Sequence, residues 1–149
     1  STLGALSAAV DQGGDVRTKG KTYKKCSQRF TVDTDRNINL KLSITAGRTS
    51  TTGVSSIGTI ASTMASLRYG LYIDDALVRS FEIGIDRRWQ TVQLESMHKV
   101  AKGAHTAHIV SQWENDGDMS TNLAWVVRWG GADKYNGDAL TVFDAGVAV

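Results

Sequence analysis

The sequence contains no proline and a single cysteine, Cys26, among its 149 residues. One cysteine cannot form an intrachain disulfide, which excludes a small secreted module held together by disulfide bonds. Without proline, the turns must be made by the 15 glycines and by Asn and Asp. We expect Cys26 to be a small buried or half-buried residue, because the sequence does not place the base partner and the electropositive pocket that a catalytic thiol needs.

Long apolar segments are also missing. No run approaches the roughly 18 residues that a membrane-spanning helix needs. The first ten residues, STLGALSAAV, lack the charged start and sustained apolar segment of a secretory leader. We therefore expect a cytoplasmic product that makes no membrane contact. At 41% hydrophobic and 21% charged, the chain has the size and composition of one globular domain.

Helical periodicity is absent as well, and apolar residues instead alternate with polar ones. The clearest alternation runs over residues 38–44, and residues 67–73 repeat it. Asp74-Asp75 then marks a hairpin turn to Leu77–Ile83. About eight strands at intervals near ten residues predict an antiparallel jelly-roll β-sandwich.

The first 25 residues show no sustained periodicity, and four glycines interrupt them. Such a segment is typical of an extended or loosely attached lead-in. We therefore predict an N-terminal arm over residues 1–25, followed by a jelly-roll domain over residues 26–149.

Positive charge is concentrated near this predicted arm, although the net charge of the chain is only +2. The simplest interpretation is a solvated face of the arm or of the first strand. A functional alternative is docking on an acidic surface. Nucleic-acid binding is a weaker third option, because the segment has one aromatic residue, Tyr23, and no recognised reading motif. The cations concerned are Arg17, Lys19, Lys21, Lys24, Lys25 and Arg29.

Motifs for catalysis, phosphate binding or dinucleotide binding do not occur. Of the three histidines, His105 and His108 would point to opposite faces of a strand, so they could not share a metal ion. Turn chemistry explains acidic pairs such as Asp74-Asp75, with a cation held between loops as the alternative. We expect neither enzyme activity nor a cofactor.

All four tryptophans lie after position 88. Trp125 and Trp129 share one strand face, which is either buried by the facing sheet or part of a subunit interface. Tyr69 and Tyr72 offer the same choice. These four aromatic residues are the candidate core or interface positions.

The segment from Ala101 to Trp113, AKGAHTAHIVSQW, resembles jelly-roll domains of the C1q/tumour-necrosis-factor type, especially those in tailed-phage structural proteins. The likeness covers roughly residues 65 to 149. Such domains are usually homotrimers. The resemblance implies a capsid decoration (cement) protein on the virion surface that binds the major capsid protein, with the basic segment as its docking arm. It implies no catalytic residues, and we expect no direct contact with nucleic acid.

Two other functions are open at this point. A receptor-binding tip of a tail fibre or needle would use the loops at residues 47–66 and 130–138, since binding residues tend to sit on loops over a rigid scaffold. A carbohydrate-binding module would instead stack exposed Trp or Tyr side chains on sugars.

Overall fold

The computed structural model describes residues 4–11, 22–50, 65–85, 90–115, 125–129 and 138–148. These residues form nine β-strands, and none of them is in a helix that could cross a membrane. In chain order the strands are β1 (Gly4–Val10), β2 (Thr22–Val32), β3 (Arg36–Ser50), β4 (Ala65–Ile73), β5 (Ala76–Ile85), β6 (Gln90–Val100), β7 (Gly103–Asn115), β8 (Trp125–Trp129) and β9 (Ala139–Val147).

The strands form two antiparallel sheets that pack face to face. The first sheet has the order β1-β9-β3-β6 and the second has the order β2-β7-β4-β5. Ala46 of β3 pairs with Gln90 of β6 on one side and with Trp129 of β8 on the other. β8 therefore lies on the same side of β3 as β9, beyond the end of β9. With β8 set apart, the strand order is that of an eight-stranded jelly roll. The predicted all-β jelly-roll sandwich is confirmed.

The core lies between the sheets and is built by the two alternating segments. Ile38, Leu40 and Leu42 of β3 have no exposed surface, and Tyr69 of β4 is 1% exposed. Alternation places every second side chain on the inner face, so each strand contributes a row of apolar groups. Tyr69 is therefore a core residue, one of the two options that the sequence left open.

The hairpin predicted at Asp74-Asp75 is also present. Ile73 pairs with Ala76, and both aspartates have positive φ angles, 50° and 64°. Two consecutive left-handed residues make a type I′ turn, whose twist matches that of the flanking strands. Asp tolerates this conformation because its short side chain can hydrogen-bond locally.

The predicted N-terminal arm is wrong for the part that the structure describes. Gly4–Val10 forms β1 and pairs along β9, and β2 already begins at Thr22. The boundary predicted between residues 25 and 26 therefore falls within a strand. The small side chains of β1 alternate only weakly between apolar and polar, so the sequence pattern did not reveal the strand. Its pairing with β9 is made by backbone groups, which this pattern does not report. Likewise, β3 extends to Ser50, into the loop expected at residues 47–66.

One end of the sandwich carries the short connections at residues 33–35, 74–75 and 101–102, and we call it the turn end. The backbone N–H of Lys102 donates a hydrogen bond of 2.9 Å to Asp35 Oδ1. The Ala148 N–H donates to the carbonyl of Asp35 at 3.0 Å. The strand ends that flank the undescribed internal segments lie at the opposite end, which we call the loop end.

Truncating a core residue tests this packing. We expect Leu40→Ala to lower the free energy of unfolding by about 2–5 kcal/mol, because it removes buried methyl groups and leaves a cavity. Met97→Ala is the matched control, since Met97 is 64% exposed and should change stability by less than about 0.5 kcal/mol. Equal effects of the two substitutions in urea denaturation would contradict the described core.

Candidate functional site

The second sheet has an outer face that points away from the core. Ala107 and Ile109 of its central strand β7 are fully buried between the sheets, so the residues that alternate with them belong to the outer face. The strand register adds residues from the neighbouring strands to this face. The outer face consists mainly of Lys24, Arg29, Arg68, Gly70, Tyr72, Leu77, Glu82, Thr106, His108, Val110 and Gln112.

An aromatic pair lies near the middle of this face. Tyr72 of β4 and His108 of β7 are direct cross-strand partners, and their rings are stacked with centroids 4.9 Å apart and planes within 6°. His108 is buried, while Tyr72 keeps part of its surface exposed. Burial lowers the pKa of His108, with a further decrease from the positive charge of Lys24 that outweighs the opposing effect of Asp75. The lowered pKa favours the neutral imidazole, and its buried ring supports the Tyr72 ring.

Gly70 gives the Tyr72 ring its position. A Cβ atom at residue 70 would lie 2.9 Å from Tyr72 Cε1, closer than real Cβ contacts, and 3.0 Å from Leu77 Cδ1, which is tighter than most of them. The absent side chain lets the ring and Leu77 come together above the backbone. Leu77 is 54% exposed. We call Tyr72, Leu77 and His108 the aromatic platform.

Charged and polar groups surround the platform. Arg68 and Glu82 form an exposed ion pair at 3.7 Å, and Ser66 Oγ donates a 2.7 Å hydrogen bond to Glu82 Oε1. On the other side, Lys24 and Arg29 are exposed, and neither forms an ion pair within the described ranges. The platform is thus bordered by hydrogen-bonding groups of both signs, with free positive charge on the β2 side.

A shallow cavity of about 250 Å³ opens at the turn end of the same sheet. It is lined by Arg29, Asp74, Ala104, His105 and Thr106. Thr106 precedes His108 by two residues on β7, so it shares the outer face with the aromatic platform. The cavity and the platform therefore form one continuous surface.

His105 braces the wall of this cavity. Its Nδ1 lies 2.5 Å from Asp74 Oδ2 and its Nε2 lies 2.6 Å from the carbonyl oxygen of Ala101, while the Thr106 N–H donates to Asp74 Oδ1 at 2.9 Å. The ring can donate to both acceptors only as an imidazolium. The hydrogen bond to Asp74 raises the pKa of His105, against the opposing effect of burial. Burial alone would raise the pKa of Asp74, but the hydrogen bonds from His105 and Thr106 outweigh it and lower this pKa.

The predicted docking cations are separated by the fold. Lys24 and Arg29 are exposed on the outer face, whereas Arg17, Lys19 and Lys21 lie outside the described residues. Lys25 is a correction, because its side chain is only 3% exposed and pairs with two carboxylates. Lys24 and Lys25 are neighbours on one strand and must point to opposite faces, so they cannot both reach a docking surface.

The aromatic candidates are likewise divided between positions. Tyr69 faces the core and Tyr72 faces outward, three residues further along β4. Trp125 and Trp129 belong to β8, but their side chains lie outside the described part of the structure. As expected from their spacing, His105 and His108 occupy opposite faces of β7, where they stack on Phe30 and Tyr72 respectively. Across the described ranges, no three His, Cys, Asp or Glu side chains are grouped to hold a metal ion.

Comparison with known proteins finds relatives in structure only, since no family model and no curated protein matches the chain. A family 35 carbohydrate-binding module from an environmental isolate is 10% identical with a TM-score of 0.42, over 99% of this chain and 85% of that one. The CBM36-1 domain of a multidomain xylanase from the hindgut metagenome of Trinervitermes trinervoides is 13% identical with a TM-score of 0.44, over 96% and 98%.

A third structure, the insecticidal δ-endotoxin Cry8Ea1 from Bacillus thuringiensis, is 6% identical with a TM-score of 0.45. The match covers 84% of this chain but only 18% of the toxin. The three likenesses concern the fold alone. The described architecture therefore defines the class of this chain as a jelly-roll β-sandwich domain.

The His105–Asp74 pair predicts a pH dependence of stability. The pKa of His105 in the folded state is raised above 6.5. Its contribution to the stability of the fold is therefore complete below pH 6.5 and is lost as the pH rises through the folded-state pKa. Because the folded pKa of Asp74 is lowered below 3.8, its contribution is present above that value and is lost as the pH falls through the folded pKa. The wild type should therefore exceed His105→Gln in melting temperature most clearly between about pH 4 and 6.5.

Melting curves of both proteins from pH 3 to 9 measure this difference. A gap between wild type and variant that widens above neutral pH would contradict an imidazolium at His105. His98→Gln serves as a control, because burial lowers the pKa of His98, with Arg79 adding to the effect, so that it is not stabilised as a cation.

Proposed function

We propose that this chain is a non-catalytic carbohydrate-binding module whose ligand lies on the outer face of the second sheet. The observation that carries the proposal is the aromatic platform, in which the Tyr72 ring is held against His108 above Gly70. A rigid aromatic ring that keeps exposed surface offers large contact area at low cost in conformational entropy.

Sugars suit such a surface because they present both apolar and polar groups. The C–H face of a pyranose can pack on an aromatic ring, while its hydroxyls need donors and acceptors at the ring's edge. Arg68, Glu82 and Thr106 supply these groups on the same face as Tyr72. Few of them require rearrangement, because the strands that carry them are paired along their length.

The charge beside the platform favours acidic sugars. On β2, Lys24 lies opposite Val110 of β7 and Arg29 lies opposite Thr106 of β7. The two cations therefore flank His108, which lies between Thr106 and Val110 on β7. Both side chains are exposed. A carboxylate or sulfate on a glycan would gain attraction from both cations, and this attraction should weaken with salt.

The test is binding to an array of neutral, uronic-acid-bearing and sulfated glycans. We expect the wild type to bind. Tyr72→Ala should raise the dissociation constant about tenfold or more, because the stacking surface is removed. Met97→Ala on the other sheet is the matched control and should bind like the wild type. No binding by the wild type, or equal binding by Tyr72→Ala, would overturn the proposal.

The cationic side of the platform gives a separate prediction. The double substitution Lys24→Gln with Arg29→Gln should reduce binding of acidic glycans more than binding of neutral ones, and should flatten the salt dependence. Affinities at low and high salt measure the effect. If the double variant binds acidic glycans with unchanged affinity and salt dependence, these cations do not contact the ligand.

A second candidate function is capsid decoration by a homotrimer, which the resemblance to C1q/tumour-necrosis-factor-like domains implies. One observation favours it: on the outer face of the first sheet, the two edge strands each expose a large apolar side chain, Val10 of β1 at 52% and Met97 of β6 at 64%. Burying such a face between subunits would be favourable. Light scattering of the purified chain and its copy number in virus particles test this candidate, and a monomer absent from particles would rule it out.

A further inference from the structure

A lysine and two aspartates meet at the loop end of the sandwich. Lys25 Nζ lies 2.6 Å from Asp138 Oδ2 and 2.9 Å from Asp11 Oδ2. The three residues come from separate places in the fold: β2, the residue before β9, and the residue after β1. Lys25 and Asp138 are 113 positions apart in sequence.

Water is largely excluded from the lysine and its closer partner. The side chain of Lys25 is 3% exposed and that of Asp138 is fully buried, while that of Asp11 is 15% exposed. Lys25 is the cross-strand partner of the core residue Ile109. Leu140, two residues after Asp138, is also buried in the core. Burial raises the pKa of Asp138, although Lys25 and the Thr45 N–H oppose it. A carboxyl group whose burial favours the protonated form, with an amine at contact distance, supplies the reactants of an amide condensation.

The position of each group is fixed by independent contacts. Asp138 Oδ1 accepts a 3.3 Å hydrogen bond from the Thr45 N–H, and its carbonyl accepts from Asp11 N–H at 2.7 Å. A β-bulge between Lys25 and Gln28, with Cys26 at a φ of 55°, sets the direction in which Lys25 enters the core. Nζ already lies 2.6 Å from Oδ2, which is bonded to the carboxyl carbon Cγ that the nitrogen would attack.

We propose that Lys25 and Asp138 form an intramolecular isopeptide bond, with Asp11 as the proton carrier. A proton first passes from the ammonium to Asp138, which leaves a neutral amine and a carboxylic acid. The nitrogen lone pair attacks Cγ, and a C–N bond forms while the carbonyl π electrons move to oxygen. Asp11 takes a proton from the nitrogen and returns it to the departing hydroxyl. The C–O bond breaks, one water leaves, and the amide remains.

The step is balanced without any further reagent. An amine and a carboxylic acid become an amide and one water, Asp11 ends in its starting state, and no oxidant or reductant takes part. The product replaces a buried ion pair, which is expensive to desolvate, with a neutral amide. It would also join the second sheet covalently to the start of β9 in the first sheet.

Intact mass spectrometry of the folded wild-type chain tests the proposal. We expect a mass below that of the sequence by one water molecule. Trypsin should then yield the peptide of residues 25–29 joined to the peptide of residues 135–149, because an acylated Lys25 is not cleaved. A full sequence mass after prolonged incubation of the folded protein, with the two peptides separate, would overturn it and leave an ion pair only.

Variants assign the reaction to its residues. Lys25→Arg and Asp138→Ala should restore the sequence mass of each variant, and Asp11→Asn should slow the loss of water. Lys24→Arg is the matched control. Lys24 is next to Lys25 in the chain but its side chain is exposed, so this variant should still lose the water. A cyclised aspartate elsewhere would also lose water but would join no peptides. If a core variant fails to fold, the joined peptides of the wild type decide the question alone.

Discussion

The loop end of this sandwich depends on the polar contacts of one buried residue, Asp138. Its carboxylate contacts Lys25 of β2 and the backbone N–H of Thr45 of β3, and its carbonyl accepts hydrogen bonds from Asp11 N–H and Cys26 Sγ. Asp138 therefore connects strands of both sheets where β9 begins. Burial and the nearby carboxylates of Asp138 and Asp11 raise the pKa of Cys26 to about 12, so this thiol is an inert part of the cluster. In the ion-paired state that the structure shows, removing one partner of the Lys25–Asp138 pair typically costs about 3–5 kcal/mol, because the other charge is left uncompensated.

The turn end is held by different means, and this difference matters for function. Backbone turns are connected there by exposed or half-buried side chains, with Asp35 bonded to Lys102 and His105 placed between Asp74 and Ala101. These contacts hold the described strand ends on both sides of the outer face of the second sheet. Rigid strands that present one aromatic platform and a charged border are suited to binding a ligand with little rearrangement.

Local pattern was sufficient to predict the parts of the fold that depend on neighbouring residues. Alternation identified the core rows at residues 38–44 and 67–73, and paired aspartates identified the turn at residues 74–75. The pattern could not identify β1, because its small side chains alternate weakly. It could not identify the Lys25–Asp138 pair either, since 113 positions separate the partners and only the three-dimensional fold brings them together. The Tyr72–His108 stack depends on the pairing of β4 with β7, and local alternation does not show which strands pair with each other.

Amide hydrogen exchange in the wild type and in Asp138→Ala, followed residue by residue, tests the role of Asp138 most directly. If the Asp138 carboxylate holds the loop end, the variant should lose protection at the Thr45 amide, which bonds to that carboxylate directly. It should also lose protection at the Asp11 amide, because the bond to the carbonyl of residue 138 requires this end to stay in place. The Lys102 and Thr106 amides at the turn end should keep their protection. Unchanged protection at Asp11 and Thr45 would contradict this account. So would an equal loss at both ends, because it would mean that the cluster supports the whole fold rather than the loop end.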